Sequence, residues 1–346
     1  MKGTELPYAG VRVDAFNLWP ITPTKREFNS TIDLERFVRQ SIDPMRLPSL
    51  TLHFGQPWHH NIGHALFDGL YAAFVALLRF PPRHEHPFRI LAGVSDCTDC
   101  WSEDVFSRFG GVGIIKQLVL NRMSVGRWFL FDEIIIGSGT FCQRCTQPHL
   151  QLPGGVELDG SRRFRDRMYQ QHGLVLPVRR VKHSAEHRTP RDVLVASVID
   201  NKRFSENDRR EINAAIEYLN NYTAASLNRT RNESSELPWP LIRVDYIHYH
   251  RITPQNRTRP QINATRIDSR SPTYELEENN FIAQLKVLRQ MDIHVSGPGT
   301  GQMYQTFLSD GSVNVNLGGV RPWGFDNTNR SYASYLEQHI DRKSVV

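Results

Sequence analysis

Cysteine is scarce in this chain: four residues out of 346. That rules out a small disulfide-stapled scaffold, where cross-links stand in for a core. No stretch of about 18 consecutive apolar residues occurs, so no membrane-spanning helix is expected. The opening residues, MKGTELPYAG, lack the apolar h-region of a secretory leader, and no signal peptide is expected there. Aspartates never stand two apart. The Asp-x-Asp cradle of a metal-bridged nucleotide diphosphate is therefore missing, and a diphosphate site would rely on cations and backbone dipoles, with no divalent metal. A strong charge bias is also missing: 42 Lys and Arg stand against 36 Asp and Glu, a net charge of +6. This mild basic excess suits an anionic ligand or a nucleic acid and requires neither.

What is present is an ordinary globular composition, 39% hydrophobic and 23% charged, in a length that favours two medium domains. Strand and helix patterns alternate. Leu50 to Phe54 reads as a strand, Ala65 to Phe80 as an apolar helix closed by Pro81-Pro82, and 88–94, 114–120 and 128–137 as further strands. Arg162 to Gly173 reads as an amphipathic helix stopped by glycine, and the polar, basic stretch 181–191 as a linker. Asp192 to Ile199 is the strongest buried-strand signal. A helix over 206–220, a strand over 241–247, a polar Arg-rich loop over 249–273, a helix over 281–290 and a final helix in the last 25 residues complete the pattern. Such alternation predicts an α/β fold of two Rossmann-like domains, 1–185 and 186–346. Ligands then belong at the carboxyl ends of the strands, in the cleft between the domains.

The cysteines form two CxxC pairs, Cys97/Cys100 and Cys142/Cys145. They fit a four-thiolate zinc site or two disulfides, and both readings stay open. Glycosylation acceptor motifs occur at Asn29, Asn221, Asn228, Asn232, Asn256, Asn263 and Asn329. Four of these fall between 228 and 263, read as a polar loop where glycans would sit, and they favour residence in a secretory compartment.

Three groups of residues carry chemistry. Ile293 to Leu317 reads as strand, glycine turn (Ser296-Gly297-Pro298-Gly299-Thr300-Gly301), helix start, strand. Glycines let backbone approach a ligand, and free N–H groups at a helix start suit a phosphate. Asp200-Asn201-Lys202-Arg203 follows the strand that contains Ser197 and puts cations beside a strand's carboxyl end. Asn61, His64 and Asp68, at spacings of three and four, share one face of a helix start, where they serve either as caps or as proton-transfer and hydroxyl-binding groups. Asp132 and Glu133 are adjacent carboxylates in an apolar strand, so only one of them faces any cleft.

Three patches resemble glycosyltransferase family 61, over about His53 to Gly319. NIGHALFDGL (61–70) is similar to the family's Asn-x-x-His-x-x-x-Asp segment, and VLVASVIDNKRF (193–204) to its strand followed by basic residues. Residues 281–318 are similar to its closing glycine-turn block. The chain departs from the family at Pro298, where a His is usual, at Asn316, where a Glu is usual, and at Val198, where an Arg is usual. The resemblance implies a GT-B fold and an inverting, metal-independent transfer of a sugar, GlcNAc or a pentose such as xylose, from a UDP-sugar donor to a glycan or glycoprotein acceptor. It implies no nucleic-acid partner, and residence in the Golgi or endoplasmic reticulum lumen with membrane attachment only through an anchor absent from this chain. On this resemblance Asn61, Ser197, Lys202, Arg203, Gly299, Thr300, Gly301 and Asn316 bind the donor, and Asp68 or His64, with Glu133 third, takes the acceptor proton. The departures also suit a degenerate, non-catalytic glycan-binding module. The paired CxxC motifs suit a zinc-knuckle protein that binds nucleic acid.

Overall fold

The computed structural model describes residues 28–40, 45–55, 63–78, 80–93, 101–116, 129–136, 159–177, 193–200, 204–232, 241–250, 273–277, 280–297, 300–317 and 344–345. The chain divides into two compact units, Met1–Gly160 and Ser161–Val346.

In the first unit, α1 (Thr31–Gln40) starts at Ser30. The Asp33 N–H donates to Ser30 Oγ at 3.1 Å, and the hydroxyl donates back to the Asp33 carboxylate at 2.8 Å, which satisfies the helix start. Strands β1 (Met45–Gly55), β2 (Phe88–Gly93), β3 (Gly111–Lys116) and β4 (Phe129–Ile136) form a parallel sheet in the order β3-β2-β1-β4. Leu50, Thr51, Leu52, His53 and Phe54 are all buried. Both faces of β1 are therefore covered, as a parallel sheet flanked by helices requires. A π-helix (His64–Leu70) runs into α2 (Tyr71–Leu78) after β1.

Helix α3 (Trp101–Gly110) has only a short apolar stripe, Val105, Phe106 and Phe109, and the sequence did not announce it. Packing makes it: Phe106 meets Phe54 with ring centroids 5.6 Å apart, and Phe109 meets Phe74 at 5.2 Å and Phe88 at 6.2 Å. The helix closes on Gly110, where an added Cβ would lie 2.5 Å from the Phe88 carbonyl oxygen. That oxygen belongs to a strand and has little freedom to retreat. Gly110→Ala is expected to destabilise the protein by roughly 1–3 kcal/mol, the usual cost of overpacking. Denaturant unfolding of the variant measures it, and an unchanged midpoint would show that α3 shifts freely on the sheet.

In the second unit, α4 (Gly160–Gln171) precedes β5 (Val193–Asp200), α5 (Glu206–Asn232), β6 (Leu241–His250), β7 (Thr273–Glu277), α6 (Phe281–Leu288) and β8 (Ile293–Ser296). A 3₁₀ helix (Thr300–Phe307), β9 (Val313–Asn316) and β10 (Ser344–Val345) complete it. The sheet is parallel, in the order β10-β9-β8-β5-β6-β7. Counted from β5, this is the 3-2-1-4-5-6 order of a doubly wound nucleotide-binding sheet. One face packs against α5 through Ala196, Val198, Val244 and Tyr246 with Ile216, and Ile212, Ile293 and Val295 join them.

Two expectations from sequence are corrected here. Helix α4 was placed before a boundary at 185, yet it belongs to the second unit. Phe164 packs on Phe307 at 6.2 Å, and the Tyr169 hydroxyl lies 3.0 and 2.9 Å from the carbonyl oxygens of Leu285 and Phe307 and shares its one proton between them. Arg165 donates to Asp310 at 2.6 Å and to the Leu308 carbonyl at 3.1 Å. Amphipathic spacing reveals an apolar face and does not say which layer that face covers. The linker read at 181–191 lies outside the described residues.

Helix α5, expected to end at Asn220, continues to Asn232. Polar side chains fasten its second half to β6. Asn220 donates to the Val244 carbonyl at 2.9 Å and accepts the Val244 N–H at 2.8 Å, and Thr223 Oγ1 donates to the Ile242 carbonyl at 2.7 Å. Asn228 and Asn232, expected in a polar loop, thus lie on a helix, and Thr223, the third residue of the acceptor motif at Asn221, has a structural task of its own.

The fold is therefore α/β, with two parallel sheets of Rossmann-like strand order. No described helix is long and apolar enough to cross a membrane. All four cysteines lie outside the described residues, and with them both the disulfide and the zinc reading.

Candidate functional site

The strand order of the second sheet sets where a ligand belongs. The chain reverses direction of travel between β5 and β8, and the carboxyl ends of those two strands flank the crevice of a doubly wound sheet. The strands are in register there, Ile199 beside Ser296. The chain leaves β5 through Asp200 into Asn201-Lys202-Arg203, and leaves β8 through Gly297 into Pro298-Gly299 and the 3₁₀ helix that opens with Thr300 and Gly301. Both sequence patches thus depart from neighbouring strand ends, about 5 Å apart. Lys202, Arg203 and Gly299 lie outside the described residues, as do the side chains of Thr300 and Asn316. Asn316 is the last residue of β9, in register with Ser296 at the same edge.

The other place for a phosphate in such a unit is the start of α5, and it is already filled. Ser205 and Asp208 form a reciprocal cap: the Ser205 N–H donates to the Asp208 carboxylate at 2.7 Å, and the Asp208 N–H donates to Ser205 Oγ at 3.1 Å. The backbone N–H of Ser205 holds the Asp208 carboxyl below its usual range. A carboxylate in that position repels a second anion.

Ser197, expected to touch the donor, lies lower. It is three residues short of the end of β5 and 1% exposed. It belongs to a buried polar row running across four strands in register: Asp245, Ser197, His294 and Asn314. His294 Nδ1 is 2.7 Å from Asn314 Oδ1. An amide oxygen only accepts, so Nδ1 carries the proton and Nε2 is left as a bare acceptor. Burial pushes the His294 pKa down to about 4, against the smaller opposing pull of the Asn314 hydrogen bond, so the ring is neutral at pH 7.

At the strand ends the structure brings together residues that local sequence pattern does not connect. Asp200 closes β5 with its side chain 3% exposed. Its Oδ2 accepts from Arg209 Nε at 3.0 Å and lies 3.7 Å from His248 Nε2, and the Tyr246 hydroxyl neighbours the carboxylate. Burial first, and Asp200 second, raise the pKa of the neighbouring Tyr246 hydroxyl well above its ordinary value. The signal for this group was thin. Asp200 stands at the end of an apolar run, but His248 and Arg209 join it only through strand register and the first turn of α5.

In the first unit the corresponding reversal lies between β1 and β4. The π-helix that carries His64 and Asp68 follows the carboxyl end of β1, which is the ligand side of that sheet. Its i→i+5 turns are wider than those of an α-helix, and such segments concentrate at functional sites. Asn61 and the side chains of His64 and Asp68 lie outside the described residues. Glu133 is placed differently. It sits mid-strand on β4, beside Leu50, and forms an ion pair with Arg83. Asp132 pairs with Arg46 at 2.7 Å. Leu50 lies one residue before the Thr51–Arg89 pairing, so Glu133 is level with the amino end of β2. A carboxylate held by an arginine, below the strands' carboxyl ends, is poorly placed for a base.

Among the described residues no group of three His, Cys, Asp or Glu is arranged to hold a metal ion. No family model matches this chain, and no curated protein matches it.

Proposed function

We propose that the protein is an inverting, UDP-sugar-dependent glycosyltransferase of GT-B fold that acts on a hydroxyl of a glycan or glycoprotein. The observation that supports this reading is the second sheet: its strand order reverses between β5 and β8, the two strands that the sequence continues into Asn201-Lys202-Arg203 and into the glycine-rich run from Gly297. In this reading the backbone of Gly299 to Gly301 and the cations Lys202 and Arg203 hold the diphosphate. Prepositioned donors of this kind stabilise a leaving diphosphate without a metal. Asn316 borders the same edge. The π-helix of the first unit supplies the base, Asp68 or His64, and Asn61 binds a hydroxyl of the donor or acceptor beside it. The motif-level likeness to glycosyltransferase family 61 supports the donor. The acceptor motifs at Asn29, Asn256, Asn263 and Asn329 support a Golgi or endoplasmic reticulum lumen as its compartment.

Calorimetric titration of UDP tests the donor site. Arg203→Ala is expected to weaken UDP about tenfold or more, the usual loss for a hydrogen bond to a charged group. Equal affinity in the two proteins would sink the assignment. Pro298 and Asn316, at positions where the family carries His and Glu, favour a second reading, a glycan-binding module without turnover. Release of UDP from UDP-sugars over hours, with candidate acceptors present, separates the two.

A further inference from the structure

Helix α5 carries a second seam on its outer face. Ile216 and Thr223 turn inward to the sheet and are buried. Glu211, Ala215, Tyr218, Tyr222, Ala225 and Arg229 turn outward and are all exposed, Tyr218 by 71% and Tyr222 by 45%. They stand four, three, four, three and four residues apart. That alternation averages about 3.5 residues, the repeat that keeps one line of side chains facing a second helix. The order along the line is palindromic: charge, alanine, tyrosine, then tyrosine, alanine, charge. Its centre is level with Asn220. A two-fold axis there lays a second α5 antiparallel on the first. Tyr218 then faces Tyr222 of the second copy, Ala215 faces Ala225, and Glu211 faces Arg229. In such an isologous contact every pair occurs twice. The end charges choose the direction. Antiparallel helices set Glu211 against Arg229 at both ends, whereas parallel helices set Glu211 against Glu211 and Arg229 against Arg229. The Asn207 amide donates to the Glu211 carboxylate at 2.6 Å and steadies it on this face. A seam that is symmetric in shape and opposite in charge at its two ends is complementary to itself, so its occupant is a second copy of this chain.

We propose that two copies of the protein associate through α5, antiparallel and centred on Asn220. The test is sedimentation equilibrium of the intact chain over a range of concentrations, with the fold of each variant checked by its thermal melt. Wild type is expected to pass from monomer to dimer as concentration rises. Tyr218→Glu, which puts a carboxylate at the centre of the seam, should leave it monomeric. Glu211→Arg and Arg229→Glu should each weaken the dimer about tenfold, because each replaces two attractive pairs by two repulsive ones. Combining the two changes restores opposite charges, and affinity should return to within about threefold of wild type. A wild-type chain that stays monomeric throughout overturns the proposal, as does a dimer that Tyr218→Glu leaves intact. A double variant no tighter than the single ones overturns it too, because Glu211 and Arg229 then do not meet across the axis.

Discussion

Asp68→Asn is expected to leave UDP affinity unchanged and to lower turnover by roughly 10²–10⁴, the range a positioned general base contributes. Asparagine keeps the shape and the hydrogen-bonding reach of aspartate but cannot take a proton. Asp68 lies on the π-helix that follows the carboxyl end of β1 and, in the proposed reaction, takes a proton without holding the diphosphate, so its loss should leave UDP affinity intact. His64 is four residues earlier on the same helix and competes for the role. The pH profile distinguishes them. If Asp68 is the base, the acidic limb of kcat/KM disappears in Asp68→Asn and survives in His64→Gln. Turnover of Asp68→Asn within twofold of wild type would remove Asp68 from the reaction. A parallel loss of UDP binding would instead make it a structural residue.

Lowering the pH from 6.5 to 4 is expected to destabilise the second unit through His294 by roughly 3 kcal/mol. The ring is fully buried, and its pKa falls from 6.5 to about 4 on folding. Below pH 6.5 the unfolded chain takes up a proton that the folded chain refuses, so stability drops as pH falls through this window and levels off below about 4. Above 6.5 both states hold a neutral ring, and this contribution does not vary. Other groups titrate in the same range, so the readout is a difference between two proteins. Urea unfolding of wild type and His294→Gln at a series of pH values should show the wild-type curve falling more steeply between 6.5 and 4. Parallel curves would mean that the ring takes up its proton inside the fold. Asn314 is the residue to change next: without its oxygen nothing fixes the Nδ1–H tautomer.

The two predictions draw on different kinds of information. The motif that names Asp68 is visible in the sequence, because spacings of three and four on an apolar helix are local. The opposite holds for His294. In IHVS it alternates with apolar residues and reads as an ordinary strand position. Its burial and its amide partner come from Asn314, twenty residues on, in the next strand. Asp200 is similar: the sequence set it at a strand end, but Arg209 and His248 reach it by folding.

Sequence alone determined the α/β alternation, the short strand Ile293 to Ser296 at its observed limits, and the glycine stop of α4 at Gly173. Each is written in periodicity of two or 3.6 residues, or in turn residues whose backbone freedom is intrinsic. Only the tertiary structure decided that α4 packs with the second sheet, that α5 extends past Asn220, and that α3 exists at all. It also decided that Ser197 is buried below the carboxyl end of β5, that Glu133 is bound to Arg83, and that Asp200 gathers a polar cluster. The physical reason is the same in each case. Local pattern specifies which side of an element is apolar, while the identity of its neighbour depends on strand order, and strand order is settled by contacts between residues far apart in the chain.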